Sequence, residues 1–504
     1  MSATIPSVFE SGMDGIRIDV ECHISNGLPA MVIVGLGNKA VEESKERLRS
    51  AFAEAKLNFP KQRITLNLAP ADMPKDGTGF DLAMAAAILA ASKQIPDNQS
   101  EPTLVIGELG LDGSIRPVRG IIGKLLTGRR LGYTSAVIPA QNLAQAQLVP
   151  GIRYIPVATL QDYYLHTINK APIAFAATQN TPSESAENYE NDFSDVIGQL
   201  RAKRSLEIAA AGNHNVLLNG PPGTGKSMLA KALPTILPPM NIEEILEVTH
   251  LHSLSSRSFD SIVSTRPFRS PHHTASEVSI LGGGQNPKPG EISLSHHGVL
   301  FFDELPEYNR STLEALRQPL EDRVISVARA KHSLTFPARF MFVATANPCP
   351  CGYYGTTKQC RCMPHEILKY QKKLSGPILD RIDMHVDVDE INHSSLMKQH
   401  QAEPSAKIRE RVILARQRQL NRYGDTQTNN ASLSSRQIKQ FIQIEPDALT
   451  LLNKAAEQLE LSARAYMKVI KVAQTIADLE GWQKVNSPAL SEALQYRRQP
   501  VQML

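Results

Sequence analysis

The sequence predicts an α/β protein with a phosphate-binding core and a helical C-terminal lid. Three observations lead there. A Gly-rich turn, GPPGTGKS (220–227), follows the apolar run NVLLN and precedes the helical stretch SMLAKALP. Two further apolar runs, GVLFFDE (298–304) and ARFMFVATAN (338–347), end on polar residues, as buried parallel strands do when they deliver side chains to a site. From about residue 404 onward almost every segment has helical period.

Composition sets the outer bounds. With 504 residues the chain is long enough for two to four domains. It is 42% hydrophobic and 21% charged, with a net charge of +4. That mild basicity is compatible with nucleic acid without arguing for it, because binding depends on local patches. The N-terminal MSATIPSVFESG lacks the basic start and continuous apolar core of a signal peptide. DLAMAAAILAAS (81–92) is too short to span a bilayer, which takes about 20 residues. The expectation is a soluble cytoplasmic protein with no membrane partner. In that reducing compartment, clustered cysteines point to metal before disulfide.

Residues 171–192 hold no Lys or Arg and scattered Ser, Thr and Asn, which reads as a linker. Before it, strand-like runs (RIDVECHI, AMVIVGL, RITLNLAP, TLVIGELG, SAVIPA) alternate with helical ones (VEESKERLRSAFAEA, FDLAMAAAILAAS, GIIGKLLTGRRLG). The expected division is an α/β domain over 1–170, the linker, a nucleotide-binding domain over 193–395 and a helical lid over 396–504.

The turn fits G-x-x-x-x-G-K-[ST] in the strand–turn–helix context that separates a P-loop from a chance match. Gly220, Pro221, Pro222, Gly223, Thr224 and Gly225 form it. Its glycines let backbone N–H groups face phosphates at a helix N-terminus. Lys226 is placed to bridge the β- and γ-phosphates of ATP, and the Ser227 hydroxyl to ligate Mg²⁺. Asp303 can hold the Mg²⁺ water shell while Glu304 polarises the attacking water. Asn347, at the tip of the next strand, can orient that water, or can simply satisfy a turn. Arg381, in LDRID, reads either as a local ion pair or as an arginine finger offered to a neighbouring subunit. Arg464, opening a lid helix, can reach the phosphates as the lid closes.

Together these features resemble an AAA+ ATPase. Gly220–Ser227 is then Walker A, Asp303 and Glu304 Walker B, Asn347 sensor 1, Arg464 sensor 2 and Arg381 the finger. The resemblance also implies that Ile197 and Gly198 of DVIGQ flank the adenine. SEVSILGGGQNPKPGEISLS (276–295) reads as one hairpin insertion and VISVARAKHSLTFPARF (324–340) as a second. RPFRSPHHTASEVSILGGGQNPKPGEISLSHHGVLFFDELPE, ATANPCPCG and LDRID resemble the magnesium-chelatase-like ComM (YifB) family of bacteria, a likeness that extends over essentially the whole chain. It implies a hexameric, DNA-dependent ATPase and helicase that drives branch migration during homologous recombination in natural transformation. The N-terminal region resembles that family's Lon-protease-like domain. A Lon-type nucleophile would fall at Gly79 of KDGTGFD and its lysine at Ile122, with Lys124 two positions on. Without a hydroxyl and neighbouring base there is no activated nucleophile, so the domain reads as proteolytically inactive, with Thr78 the one substitute hydroxyl.

Four of the five cysteines lie in ANPCPCGYYGTTKQCRCMP, spaced C-x-C-x8-C-x-C. Cys349, Cys351, Cys360 and Cys362 could gather around one structural Zn²⁺, with His365 able to replace a thiol. A reduced loop held by packing and a redox switch are the alternatives. Lys358 and Arg361 would face outward. Candidate DNA contacts are Lys288 in the first hairpin and Arg329 and Lys331 in the second, each otherwise a solvated charge. Residues 405–422 carry Lys407, Arg409, Arg411, Arg416, Arg418 and Arg422 against Glu410, and read as a solvated or subunit-facing surface more than a DNA face. The histidine pairs 272/273 and 296/297 read as hydrogen-bonding or subunit-contact residues before metal ligands. A chelatase-type motor that remodels a protein partner is the alternative function.

Overall fold

The computed structural model describes the chain except residues 1, 36–38, 72–74, 76–77, 97–101, 177–190, 256–260, 285–287, 329–332, 357, 375, 391–401 and 498–504. Two compact units result. The first comprises 1–185, 241–264 and 328–336; the second comprises 186–240, 265–327 and 337–504. Most of the expected linker lies outside the described residues. No helix among the described residues is long and apolar enough to cross a membrane.

In the first unit, a four-stranded sheet runs in the order Ser2–Ser11, Asp14–Ser25, Arg63–Ala69, Ala30–Val34. Alternation of apolar and polar residues along Asp14–Ser25 puts Ile18, Val20, Cys22 and Ile24 on the buried face. The helix Asp81–Ala91 packs there and is buried almost all round, which explains its uniform apolar run. A parallel three-stranded sheet, Thr103–Val105, Ser135–Pro139 and Arg153–Val157, completes the unit. The run TLVIGELG, expected as one strand, divides into Thr103–Val105 and Glu108–Leu109. Gly107 lies between them, where a Cβ would press on Ile115 and Leu82 at 3.0–3.1 Å.

The dyad comparison needs a correction. It is Lys124, not position 122, that faces Gly79: a Cβ on Gly79 would stand 3.9 Å from Lys124 Nζ. Ile122 is fully buried core. Lys124 Nζ donates to Arg119 O at 2.7 Å and lies 3.6 Å from Glu10 Oε2. The Thr78 hydroxyl donates to the Glu108 carboxylate. A lysine thus stands beside position 79, and that position carries no hydroxyl.

The second unit is built on a five-stranded parallel sheet ordered Phe268–Arg269, Val299–Phe302, Met341–Ala346, Val216–Asn219, Met384–Asp387. Its three middle strands are apolar because helices cover both faces. The lid helices Ser405–Tyr423, Pro446–Gln458, Ala463–Glu480 and Ser487–Gln495 fall where the periodicity places them. Gly424 and Gly481 end two of them in the left-handed conformation that favours glycine. Arg422 and Asn430 converge on the fully buried Asp478 at 2.5–3.1 Å, fixing the lid's internal packing.

The first insertion is not the expected hairpin of β-like runs. Glu277–Leu281 is a helix capped by Ser276, and Glu291–Leu294 is another. Between them a short antiparallel hairpin is present, and among the described residues its pairing is limited to Gly282–Gly283 with Lys288–Pro289. Glycine is required where the two sides approach: a Cβ at 282 or 290 would collide with backbone at 2.2–2.8 Å. Strands Val324–Ala328 and Ser333–Pro337 match the second insertion, and its tip, with Arg329 and Lys331, lies outside the described residues.

Beside its apolar core, the first unit buries an ion pair between Arg47 and Asp81. Asp81 is fully buried and accepts from Arg47 Nε at 2.6 Å, Ser44 Oγ at 2.5 Å and Leu109 N at 3.3 Å. Asp81→Ala removes the carboxylate that Arg47 meets in a poorly hydrated place and should cost about 3–5 kcal/mol. Ser44→Ala removes a hydroxyl that donates to Asp81 and accepts from Arg47 Nη2 at 2.7 Å, and should cost about 1–2 kcal/mol. Urea midpoints of the two variants would be compared; equal, small losses would show that Arg47 finds water instead.

Candidate nucleotide site

The parallel sheet brings the C-terminal ends of three adjacent strands to one edge, where ligands of such sheets bind. The strand Val216–Asn219 delivers the Gly-rich turn, Val299–Phe302 delivers Asp303 and Glu304, and Met341–Ala346 delivers Asn347. Gly223 and Gly225 take φ of +80° and +84°, with open space where a Cβ would be. These positions require glycine for conformation, and their bare backbone leaves room for phosphate.

Lys226 opens the helix Lys226–Ala232 and is buried. Its ammonium donates to Gly220 O (2.6 Å), Pro221 O (2.7 Å) and Asn347 Oδ1 (3.3 Å). Burial pushes its pKa down, while Asp303 and Glu304 oppose the shift. An anionic oxygen in the turn would favour the charged form more than these neutral acceptors do. Ser227 Oγ donates to Asp303 Oδ2 at 3.0 Å, so a hydroxyl and a carboxylate already share one small volume, the donor set a hard divalent cation takes. The arrangement fits a Mg²⁺–nucleoside triphosphate.

Glu304 sits at φ +53° and is solvent-exposed, so its carboxylate is open to water. A glutamate held there carries strain of order 1–3 kcal/mol. Its amide donates to Thr345 Oγ1 at 2.8 Å, and that hydroxyl donates to Asp303 Oδ1 at 2.5 Å. Thr345 thus orients both acids from the next strand. The sequence offered a signal in its position two residues before Asn347. Gln199 was likewise passed over: its amide donates to Thr224 O (3.2 Å) and Asp389 O (2.7 Å). It therefore ties the stretch holding Ile197 and the exposed Gly198 to the turn.

The two arginines meet elsewhere. Arg381 Nη2 pairs with Glu321 Oε1 at 2.5 Å, and Arg464 Nη2 lies 3.9 Å from the same oxygen. The local ion pair weighed for Arg381 is present. Arg464, two-thirds exposed at the start of its helix, is directed to Glu321. Nothing in the sequence singled out Glu321, because the pairing joins distant segments.

Cys349, Cys351, Cys360 and Cys362 gather with all four sulfurs within 4.8 Å of one another. Cys349–Cys351, Cys351–Cys360 and Cys349–Cys360 are 3.4, 3.5 and 3.7 Å apart. A tetrahedral ion with bonds of about 2.3 Å spaces its sulfurs about 3.8 Å apart. The backbone of Arg361 pulls the Cys351 thiol down to about 6. The neighbouring sulfurs help push Cys362 up to about 12, against a hydrogen bond from the Cys351 backbone. Four thiolates at this distance repel, and a bound cation removes the conflict. The quartet fits Zn²⁺ without His365, which is exposed and outside the cluster. Lys358 is exposed over the Tyr353 ring, and Arg361 is exposed, as expected.

Lys288 is exposed on its two-residue strand. The basic helix Ser405–Tyr423 turns much of its charge inward. Arg411 pairs with Glu207 and Glu403, Arg422 with Asp478, and Arg409 and Arg416 donate to Leu237 O and Ala210 O. His272 Nδ1 bonds Thr274 Oγ1 at 2.8 Å, and buried His296 accepts from Arg339 N at 3.0 Å. Both pairs contain hydrogen-bonding residues.

Comparison with known proteins agrees with this geometry. Three family models match: magnesium chelatase, subunit ChlI, over residues 192–396; subunit ChlI of Mg-chelatase over residues 20–142; and the ChlI C-terminal model over residues 402–497. The chain is 42% identical over 503 residues to the competence protein ComM of Haemophilus influenzae, covering 98% of this chain and 97% of that protein. It is 41% identical over 489 residues to YifB of Escherichia coli, covering 96% and 95%. A Lon protease of Trichlorobacter lovleyi is 24% identical over 175 residues, 32% of this chain and 21% of that protein.

Two substitutions separate holding nucleotide from cleaving it. Lys226→Ala removes the buried ammonium and should abolish both ATP binding and turnover. Glu304→Gln keeps the shape and should still bind ATP while turnover falls at least about 10²-fold. Turnover and fluorescent-nucleotide binding, measured side by side, check this; near-normal hydrolysis in either variant would refute the assignment.

Proposed function

We propose that this protein is an ATP-driven DNA motor; the chain belongs to the magnesium-chelatase-like ComM/YifB family of AAA+ proteins, and that membership is the premise. The observation that carries the ATPase reading is the convergence of Lys226, the Ser227–Asp303 pair, Glu304 and Asn347 at neighbouring strand ends. In it, Lys226 clamps the β- and γ-phosphates, Ser227 and Asp303 hold Mg²⁺, and Glu304 draws a proton from the attacking water. Asn347, bonded to Lys226, orients that water. Mg²⁺ supplies neutralisation of phosphate charge. Ile197 and Gly198 flank the adenine, next to the Gln199 tether. The domain division 1–170, 193–395 and 396–504 belongs to the same reading, with the first domain proteolytically inactive.

The motor would work as a homo-hexamer in the cytoplasm, unwinding or translocating branched DNA to drive branch migration in homologous recombination. Natural transformation is its proposed setting, because the Haemophilus relative is named a competence protein. Arg381 and Arg464 lie together at Glu321, apart from the groups that bond Lys226, so a role for them at phosphates would be played at a neighbouring subunit's site, with the exposed Arg464 the more accessible of the two. Zn²⁺ in the cysteine quartet would stiffen the loop that leaves the sensor strand. Lys288, Arg329 and Lys331 would grip DNA phosphates. A chelatase-type motor acting on a protein would be indifferent to DNA, so DNA stimulation of ATP turnover separates the two.

Arg381 acting in trans has a specific consequence. Rings mixed from Arg381→Ala and Lys226→Ala subunits contain interfaces with an intact finger and an intact turn. Such mixtures should recover part of the turnover that each variant lacks alone. If rings of confirmed mixed composition show no recovery at any ratio, the arginine serves only its Glu321 pair.

Replacing Arg329 and Lys331 together by Ala should remove about two counterion-release contacts and flatten the salt dependence of DNA affinity by about that slope. Basal turnover and hexamer size should hold, while DNA-stimulated turnover and branch migration fall. A double variant that binds and migrates DNA normally would exclude this tip as the grip.

A further inference from the structure

We propose that the four-cysteine loop is a brace on the Walker A turn, so that metal held by the sulfurs sets how firmly the turn binds nucleotide. This rests on the reading of the quartet as a zinc site. The loop leaves the sheet edge at once: Cys349 is two residues beyond Asn347, whose side chain reaches Lys226. Gly352 follows Cys351 directly, and its amide donates to Cys349 O at 2.9 Å, closing a tight turn. That turn lies against Pro222. A Cβ on Gly352 would stand 2.5 Å from Pro222 Cδ and 3.1 Å from Cγ, closer than any side chain can approach. Gly352 is buried, although Pro222 is otherwise exposed.

Each side of the contact has its own anchor. On the loop side, Cys351 N reaches Cys362 Sγ at 3.4 Å and Tyr354 N reaches Cys349 Sγ at 3.3 Å, so the backbone flanking Gly352 is tied to the sulfurs. Gln371 Nε2 holds Pro348 O at 3.2 Å from the following helix. On the turn side, Pro222 is followed by Gly223, whose left-handed backbone bends easily. A flexible phosphate turn touched at one ring by a loop cross-linked through four sulfurs is positioned by that cross-link. Gly352 is thus a positioning residue. Its requirement is set by Pro222 and not by its backbone angle alone. Gly355, at φ +75° in the same loop, makes the comparison, because a Cβ there meets nothing within 4 Å.

The test uses the full chain, with zinc content, affinity for a fluorescent ATP analogue, and KM and kcat for ATP. Gly352→Ala and Gly355→Ala both place a side chain at positive φ, but only the first pushes on the turn. Gly352→Ala should keep its zinc and lose nucleotide affinity and kcat/KM by up to about 10²-fold, the scale of an ångström of misplacement. Gly355→Ala should bind ATP as wild type does. Zinc release by an organomercurial with a chelator should weaken nucleotide binding in the same way, and thiol followed by zinc should restore it. Cys22 will not confuse the titration, because it is buried and its thiol is pushed up to about 12 by that burial. Wild-type kinetics in Gly352→Ala, or equal losses in both glycine variants, overturn the brace. Unchanged nucleotide affinity after measured zinc release overturns the coupling to metal. Protein that never holds zinc overturns the underlying reading instead, and the glycine pair then decides separately whether the loop bears on the turn.

Discussion

The second unit is organised around a buried ammonium. Buried under the Gly-rich turn, the Lys226 ammonium needs oxygen partners, and its three come from the turn and from the end of the neighbouring strand. The two strands that supply these partners, Val216–Asn219 and Met341–Ala346, are paired directly in the parallel ladder. Gly220 adds the opposite constraint, because a Cβ there would meet Val388 O at 2.3 Å. The turn therefore begins wedged against the chain leaving the edge strand, and only glycine permits it. Thr345 then sets the acids relative to Asn347 by bonding Glu304 and Asp303 from one hydroxyl. Three strands and one cation determine the site.

The same economy links the lid to the finger segment. Asn215 N accepts no freedom at the start of its strand: it donates to Asp383 Oδ2, while its side chain bonds Arg381 O and Phe342 N. Lys468, on the helix that begins near Arg464, donates to Asp380 O and Ile382 O on either side of Arg381. Burial lowers the Lys468 pKa, and Asp383 counters that by attraction. Asp383 itself is held down to about 2 by His214 and Lys468 despite its burial. One lid helix thus grips the backbone that carries Arg381 and presents Arg464 beside it. Movement of that helix would carry both arginines together, because Lys468 bonds the backbone on either side of Arg381.

Much of this was legible in the sequence. The turn, both acids and Asn347 announce themselves, because catalytic chemistry restricts residue type and parallel strands must be apolar. The lid helices follow from period alone. Illegible were features that depend on packing between distant segments. Glu321 as the meeting point of two arginines, Gln199 as a tether and Asn215 as a strand clamp have no local signature. The 276–295 insertion misled because its β-branched residues suggest strands. Ser276 caps Glu277–Leu281 as a short helix instead, and glycines at 282 and 290 permit the close backbone approach that follows it. The basic run at 405–422 resembled an exposed charged face. Glu207, Glu403 and Asp478, far apart in sequence, account for two of its arginines.

The N-terminal unit shows how little separates a catalytic pair from a structural one. Position 79 has room for a side chain, since a Cβ there would make only ordinary contacts with Val118 and Lys124 at 3.7 and 3.9 Å. Lys124 is buried, which lowers its pKa, with Glu10 acting against the shift. A lysine in that state is suited to serve as a base, and at 79 it faces hydrogen instead of a hydroxyl. The nearest alternative, Thr78, directs its hydroxyl to Glu108. Lys124 stays because it holds the fold: its bond to Arg119 O spans the entry to the helix Ile121–Arg130, and its charge answers Glu10 on the first strand. Position 79 can do without a hydroxyl at no cost in contacts, whereas removing the buried lysine would take away both its bond to Arg119 O and its pairing with Glu10.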